Sequence, residues 1–247
     1  MKTKKIFLSF LILNTFIFFA QSSQNRVITY GLYVGGMYSK MDNVPDVIVP
    51  VGDYTGYSLD TKGKFGGFGG IYLNWKYQQY KISIQPEVFF SQQKTDLIYS
   101  DIKDLNYKIN LNYTYLNTGV MFKYYPIDNL YFGAGPYFGF NLNKDNISYT
   151  SNGEELSKIY GSYFQPDAVV QKVLKESLKG EDHFYIQFGM GYEFQNHITI
   201  GARYSLGISD ALETQENGFK YIENVNKINA FSMYVGYIFD FDSITNF

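Results

Sequence analysis

Cysteine is absent from the 247 residues, which excludes disulfides, thiolate metal sites, a cysteine nucleophile and a lipid-acylated N-terminus. Histidine occurs only at positions 183 and 197, tryptophan once and proline six times. No histidine pair, glycine-rich phosphate loop or Gly-x-Ser-x-Gly elbow is present, so no enzyme signature, metal site or cofactor site is predicted. Outside the first twenty residues there is no long apolar run, and mean hydropathy is −0.21; a multi-span helical membrane protein is excluded. What the chain does have is 25 Tyr, 22 Phe and 23 Gly, a composition that favours β structure over disorder or coiled coil.

The first 22 residues read as an address. Lys2, Lys4 and Lys5 precede the apolar stretch Ile6 to Phe19, and Ala20-Gln21-Ser22 forms a small-x-small cleavage site. The expectation is a cleavable signal peptide over 1–22 and a single barrel domain over 23–247. Without the signal, 18 basic residues face 23 acidic ones, a net charge of −5, so nucleic acid is not an expected partner.

Eight segments alternate with period two, each near the ten residues that a tilted strand needs to cross a bilayer. They are Val27 to Tyr38, Lys64 to Trp75, Lys81 to Ser91, Leu111 to Tyr124, Leu130 to Leu142, His183 to Phe194, Thr199 to Ile208 and Asn229 to Phe241. Connections near 76–80, 125–129 and 195–197 are short, whereas 39–63, 95–107, 143–182 and 209–227 are long. That asymmetry predicts an all-β, transmembrane, antiparallel up-and-down barrel of eight strands, with periplasmic turns and extracellular loops.

Alternation alone does not say which face meets lipid, since a lipocalin-type barrel alternates with its apolar face inward. The other face decides: it carries Gly, Tyr, Gln, Ser and Asn with few charges, a composition suited to a crowded lumen rather than to a water-exposed exterior. Trp75, Tyr77, Tyr80, Tyr124, Phe194, Phe239 and Phe241 gather at the periplasmic rim, as in an aromatic girdle. Pro86 and Pro136 remove ladder donors inside strands, which predicts bulges or local breaks there.

With these segments placed, Tyr115-Leu116-Asn117-Thr118-Gly119-Val120-Met121-Phe122-Lys123-Tyr124-Tyr125-Pro126, then Leu130 to Phe140, resembles the outer-membrane β-barrel family abundant in Bacteroidota, often called PorT-like. Gly189 to Phe194, Ile200 to Gly207 and Tyr234 to Phe239 continue the likeness. It implies a small closed barrel in the cell outer membrane, in contact with lipid and lipopolysaccharide and inserted by the barrel assembly machinery. One branch of the family assists type IX secretion, which implies an accessory role in secretion or envelope assembly as an alternative, with a protein partner at the outer loops or periplasmic turns. The family's usual Leu-Glu-Ile-Pro is here Leu116-Asn117-Thr118-Gly119. A tail from Asp242 to Phe247 leaves open whether Phe241 or Phe247 is the terminal aromatic read during assembly.

By parity, Lys81, Glu87, Lys123, Glu193 and Arg203 fall on the lumen face. A narrow lumen penalises unpaired ions by several kcal/mol, about the cost of any desolvated charge, so both signs are expected to pair. Eight strands enclose little more than side-chain room. The expectation is therefore a structural plug, reinforced by Tyr72, Phe89, Tyr131 and Tyr137, rather than a selective pore. His183, beside Glu181 and Asp182, is the only candidate base for a barrel hydrolase or acyltransferase and is read as a rim histidine. Of the 23 acidic residues, 18 lie in the four long connections, a solvated outer surface.

Two local features carry sharper expectations. Pairing Phe194 with Ile198 across a three-residue turn keeps lipid-facing residues on one side and sets Arg203 opposite Gly189. From Asp167 to Leu178, apolar Val170, Val173, Leu174 and Leu178 recur at helical spacing between Pro166 and Gly180, predicting a short helix resting on the barrel mouth or another loop.

Overall fold

The computed structural model describes residues 26–42, 44, 57–102, 104–161, 165–214 and 226–240. The signal segment 1–22 and the tail with Phe241 and Phe247 lie outside the described residues. The described residues include eleven strands, two α-helices and a 3-10 turn at Gln78–Tyr80: β1 (Arg26–Met41), β2 (Tyr57–Tyr77), β3 (Ile82–Asp101), β4 (Asn106–Ile127), β5 (Leu130–Asn141), β6 (Ile147–Ser151), α1 (Gly153–Tyr160), α2 (Asp167–Ser177), β7 (Leu178–Gly180), β8 (His183–Glu193), β9 (Ile198–Gly207), β10 (Leu212–Thr214) and β11 (Ile228–Asp240).

Eight of these strands form a closed antiparallel ring. Its order runs β3-β2-β1-β11-β9-β8-β5-β4, and β4 pairs back onto β3. Closure leaves no strand edge unpaired, which is what allows a sheet to stand in lipid. The period-two pattern gives the wall its two faces. Leu32, Val34, Ile71, Val88, Phe90, Phe122, Phe188, Ile200 and Val235 are exposed on the outside, while Tyr33, Phe89, Tyr131, Tyr137 and Tyr185 are buried inside.

Both prolines interrupt the ladder without shifting it. The β2–β3 pairing passes from Tyr72↔Glu87 to Trp75↔Ile84, skipping the pair at Pro86. The β4–β5 pairing likewise passes from Gly119↔Tyr137 to Phe122↔Ala134, skipping Pro136. Each is a local break at a missing donor. The register shifts lie elsewhere, between Gly63 and Phe68 of β2 and between Tyr124 and Ile127 of β4.

The stretch 95–107 departs from the expected long loop. β3 and β4 stay paired from Ile82↔Tyr124 out to Ser100↔Asn106, so the connection shrinks to residues 102–105 at the tip of a tall hairpin. Alternation continues there because Leu97, Ile109, Leu111 and Tyr113 still bury their side chains inward. They do so against a cap rather than a lumen. Met41, Val44, Tyr115, Ile147, Leu178, Ala211, Leu212 and Ile228 complete one apolar cluster with them, drawn from strand ends and outer connections. β6 extends the sheet beside β4, and β7 pairs with β10. The described parts of the outer connections are thus folded over the mouth of the barrel.

Helix α2 lies where the spacing of apolar residues predicts it, and its Leu174 packs on the cap cluster. Val173 stays 41% exposed, so the buried stripe is narrower than expected. Asp167 fixes the helix start from outside: its carboxylate accepts from the Ser151 backbone N–H at 2.8 Å and hydroxyl at 2.6 Å. Helix α1, not expected from the sequence, ends at Gly161 in the left-handed conformation, φ 65°, where glycine carries no Cβ penalty.

Candidate functional site: a layered lumen

The lumen is built of side chains stacked in layers. At its centre the Arg203 guanidinium meets the Glu87 carboxylate in a bidentate pair, 2.7 and 3.1 Å, with side chains 2% and 0% exposed. The Tyr33 hydroxyl donates to Glu87 at 2.7 Å, as does the Gln85 amide at 2.7 Å. A third contact of Arg203 goes to the Gln187 carbonyl oxygen at 3.2 Å. The guanidinium also lies over the rings of Tyr33 and Tyr234, 4.7 and 4.6 Å from their centroids. Such a pair offsets its desolvation only because nearly every charged oxygen and nitrogen has a partner.

Two strands place this pair. Arg203 stands on β9 opposite Gly189 of β8, following the three-residue turn in which the Phe194 N–H donates to the Ile198 carbonyl at 2.7 Å. A Cβ added at Gly189 would stand 3.4 Å from Arg203 Cγ, so the arginine stem runs directly over the glycine. Glu87 stands on β3 opposite Gly119 and Tyr72. Tyr33, Phe68, Tyr72, Phe89, Met121, Tyr137, Tyr185 and Tyr234 pack as one buried cluster around the ion pair.

Toward the periplasm lies a second charged layer. Lys123 and Glu193 pair at 3.3 Å, and the Tyr125 hydroxyl donates to the same carboxylate at 2.8 Å. Lys123 also sits 3.8 Å above the Tyr131 ring. Lys76 approaches Glu193 at 3.6 Å and covers Tyr125 at 3.9 Å. Of the five charges predicted for the lumen, four therefore stand in it. Lys81 does not: it is exposed in the periplasmic turn with φ 53°, where strand parity no longer applies. Lys76 stands in the layer instead, on the same β2 face as buried Tyr72 and Asn74.

Above the central pair the lining turns neutral. The Asn117 amide donates to Ser91 Oγ at 2.9 Å, and its carbonyl accepts from the Tyr185 hydroxyl at 3.0 Å. His183 is buried between Tyr115, edge-on at 4.5 Å, and Tyr185, stacked at 5.1 Å. Among the described residues its Nδ1 has no hydrogen-bond partner, and none of their serines or carboxylates is hydrogen-bonded to it. Asp182 instead accepts from the Asn141 backbone N–H at 2.9 Å. Among the described residues, no group of three His, Asp or Glu side chains stands close enough to hold a metal ion.

Residues 19–213 match the model of the outer membrane protein beta-barrel domain. The chain belongs to that family. This places it in the outer membrane, in agreement with the closed ring and its apolar exterior. Among solved structures it is similar to Neisserial surface protein A at 9% identity, covering 84% of this chain and 96% of that one with a TM-score of 0.39. It is similar to OprG of Pseudomonas aeruginosa at 15% identity, covering 87% and 95% with a TM-score of 0.39. Ail of Yersinia pestis, solved with the heparin analogue sucrose octasulfate, shares 14% identity over 86% of this chain and 99% of that one, TM-score 0.34. None of the curated proteins matches the sequence.

Proposed function

We propose that this member of the outer membrane protein beta-barrel domain family is a non-enzymatic, non-conducting barrel, exported by a cleavable signal over 1–22, whose folded outer cap serves surface interaction or envelope integrity. The observation that carries this reading is the Arg203–Glu87 pair, buried at mid-lumen and ringed by tyrosines. A solute path through it would have to separate two desolvated charges, a cost of several kcal/mol, about that of breaking any buried ion pair. The apolar cap over the outer mouth adds a second barrier. Proteoliposomes holding the purified protein should swell no faster in small sugars than protein-free vesicles; swelling that depends on protein dose would refute closure.

A second reading, an accessory subunit of protein secretion or envelope assembly of the PorT-like kind, draws on the exposed apolar side chains Ile102, Ile159 and Tyr160 on the outer connections. Mild detergent extraction followed by co-purification tests it. A stoichiometric partner lost in an Ile102→Asp, Tyr160→Asp variant supports this reading, and recovery of the barrel alone opposes it.

A further inference from the structure

The outer connections are acidic, yet the outward face of the β2–β3–β4 wall just beneath them is not. Lys62, Lys64, Lys94 and Lys108 gather there around Asp96, with one further carboxylate on that face, exposed Asp60, two residues from Lys62 on β2 and opposite Ile98. Lys62 is the direct cross-strand partner of Asp96. Lys64 and Lys108 reach Asp96 Oδ2 at 3.0 and 2.7 Å, and Lys94 lies two residues below Asp96 on the same face of β3. Asp96 is itself buried, with a side-chain exposure of 6%, whereas the Lys64 and Lys108 side chains are 44% and 41% exposed. The aspartate therefore holds two ammonium groups in place without neutralising the four. Among the described residues, neither Lys62 nor Lys94 has a carboxylate within ion-pair distance.

The height of this cluster is set by the strand below it. Ile82, Ile84, Pro86, Val88 and Phe90 form the lipid face of β3, a span of about 26 Å along the strand and roughly 20 Å along the membrane normal at a tilt near 40°. That matches an apolar band of about 25 Å with Phe90 at its outer edge. Lys94 stands four residues further, about 10 Å above Phe90 by the same rise and tilt. Phe65, 76% exposed beside Lys64, marks the apolar boundary on β2. The lysines thus rise from the headgroup level at Lys94 to about 15 and 20 Å above Phe90 at Lys62 and Lys108, which stand opposite Asp96 and Ile98, on the outward face of the wall rather than toward the lumen. The Lys94 backbone is pinned by Ser39, whose Oγ accepts from its N–H at 2.7 Å and donates to its carbonyl at 3.1 Å.

We infer that this cluster is a binding site for the phosphate groups of an anionic glycolipid of the outer leaflet. Ammonium groups are compact, rotatable donors that bind phosphate as point charges, and the exposed aromatic pair Tyr38 and Phe65, 5.2 Å apart, lies where the first acyl carbons of such a lipid would run. The site rests on the outer-membrane placement of the barrel and not on closure of its lumen, so a conducting barrel would leave it standing.

The test is native mass spectrometry of the full-length detergent-purified protein titrated with diphosphorylated lipid A, its phosphate-free counterpart and inorganic phosphate. Lys62→Ala with Lys94→Ala should weaken lipid A binding roughly twenty-five-fold, at about fivefold for each lysine near an anionic surface. Lys158→Ala with Lys172→Ala, which removes equal charge from α1 and α2, should leave it unchanged. Both pairs should keep the compact, unheated gel mobility of the wild type. Equal loss in the two variants, no loss in the first, or equal affinity for the phosphate-free lipid would overturn the site. Displacement of lipid A by inorganic phosphate of matching affinity would overturn the lipid as its occupant.

Discussion

The hydroxyls of Tyr131 and Tyr234 meet inside the lumen above a pair of glycines. Tyr131 of β5 is paired with Gly191 of β8, Gly191 with Gly201 of β9, and Gly201 with Tyr234 of β11. Four adjacent strands thus contribute one row in which two rings lie flat over two bare backbones. A Cβ at Gly201 would stand 2.6 Å from the Tyr234 ring, and one at Gly191 2.6 Å from the Tyr131 hydroxyl. Gly201→Ala is therefore expected to destabilise the barrel by about 1 to 3 kcal/mol, the usual cost of overpacking. Tyr234→Leu in the same chain should recover part of that loss. Urea unfolding in detergent checks both, and simple additivity of the two substitutions would contradict the row.

Breaking the central ion pair should cost more than replacing it. Arg203→Ala leaves Glu87 buried without its counter-charge, so the expected loss is about 3 to 5 kcal/mol. Arg203→Met combined with Glu87→Leu removes both charges at similar volume and should cost far less. Unfolding midpoints of the singles and the double form the cycle that decides it. A double variant as damaged as either single would show that the two charges do not act as a pair.

Asp167 ties α2 to β6 through two hydrogen bonds to Ser151. Its replacement by alanine should loosen the outer cap by about 1.5 to 3 kcal/mol, the range for hydrogen bonds to a charged group, while leaving the barrel intact. Hydrogen exchange should accelerate over 147–177 and remain slow in β8 and β9. Uniform acceleration across the barrel would mean that the cap and wall unfold together.

Strand parity carried most of this architecture because each wall residue has only two faces to choose between, lipid or lumen. It located Glu87, Lys123, Glu193 and Arg203 inside and set Arg203 against Gly189. Parity fails where the backbone leaves the extended conformation: Lys81, which parity puts in the lumen, lies in the turn. Lys76 was legible in principle, being even-numbered like Tyr72 and Asn74, but it follows Trp75, the expected strand end. The β3–β4 extension was obscured because its outward face turns polar above the lipid, with Lys94, Asn110 and Asn112, and polar alternation resembles a loop. Helix α1 offers only Leu156 as a buried apolar side chain, too little for a periodic signal.

In the proposed function the lumen is closed by its own side chains. Planar-bilayer recordings of the purified, folded barrel measure this most directly, with Lys123→Glu as the companion variant because Lys123 pairs with Glu193 at the periplasmic side of the lumen. A closed lumen gives no steady conductance in the wild type and, in the variant, lower resistance to unfolding rather than altered selectivity. Steady, ion-selective current from the wild type, with selectivity changed by Lys123→Glu, would contradict it.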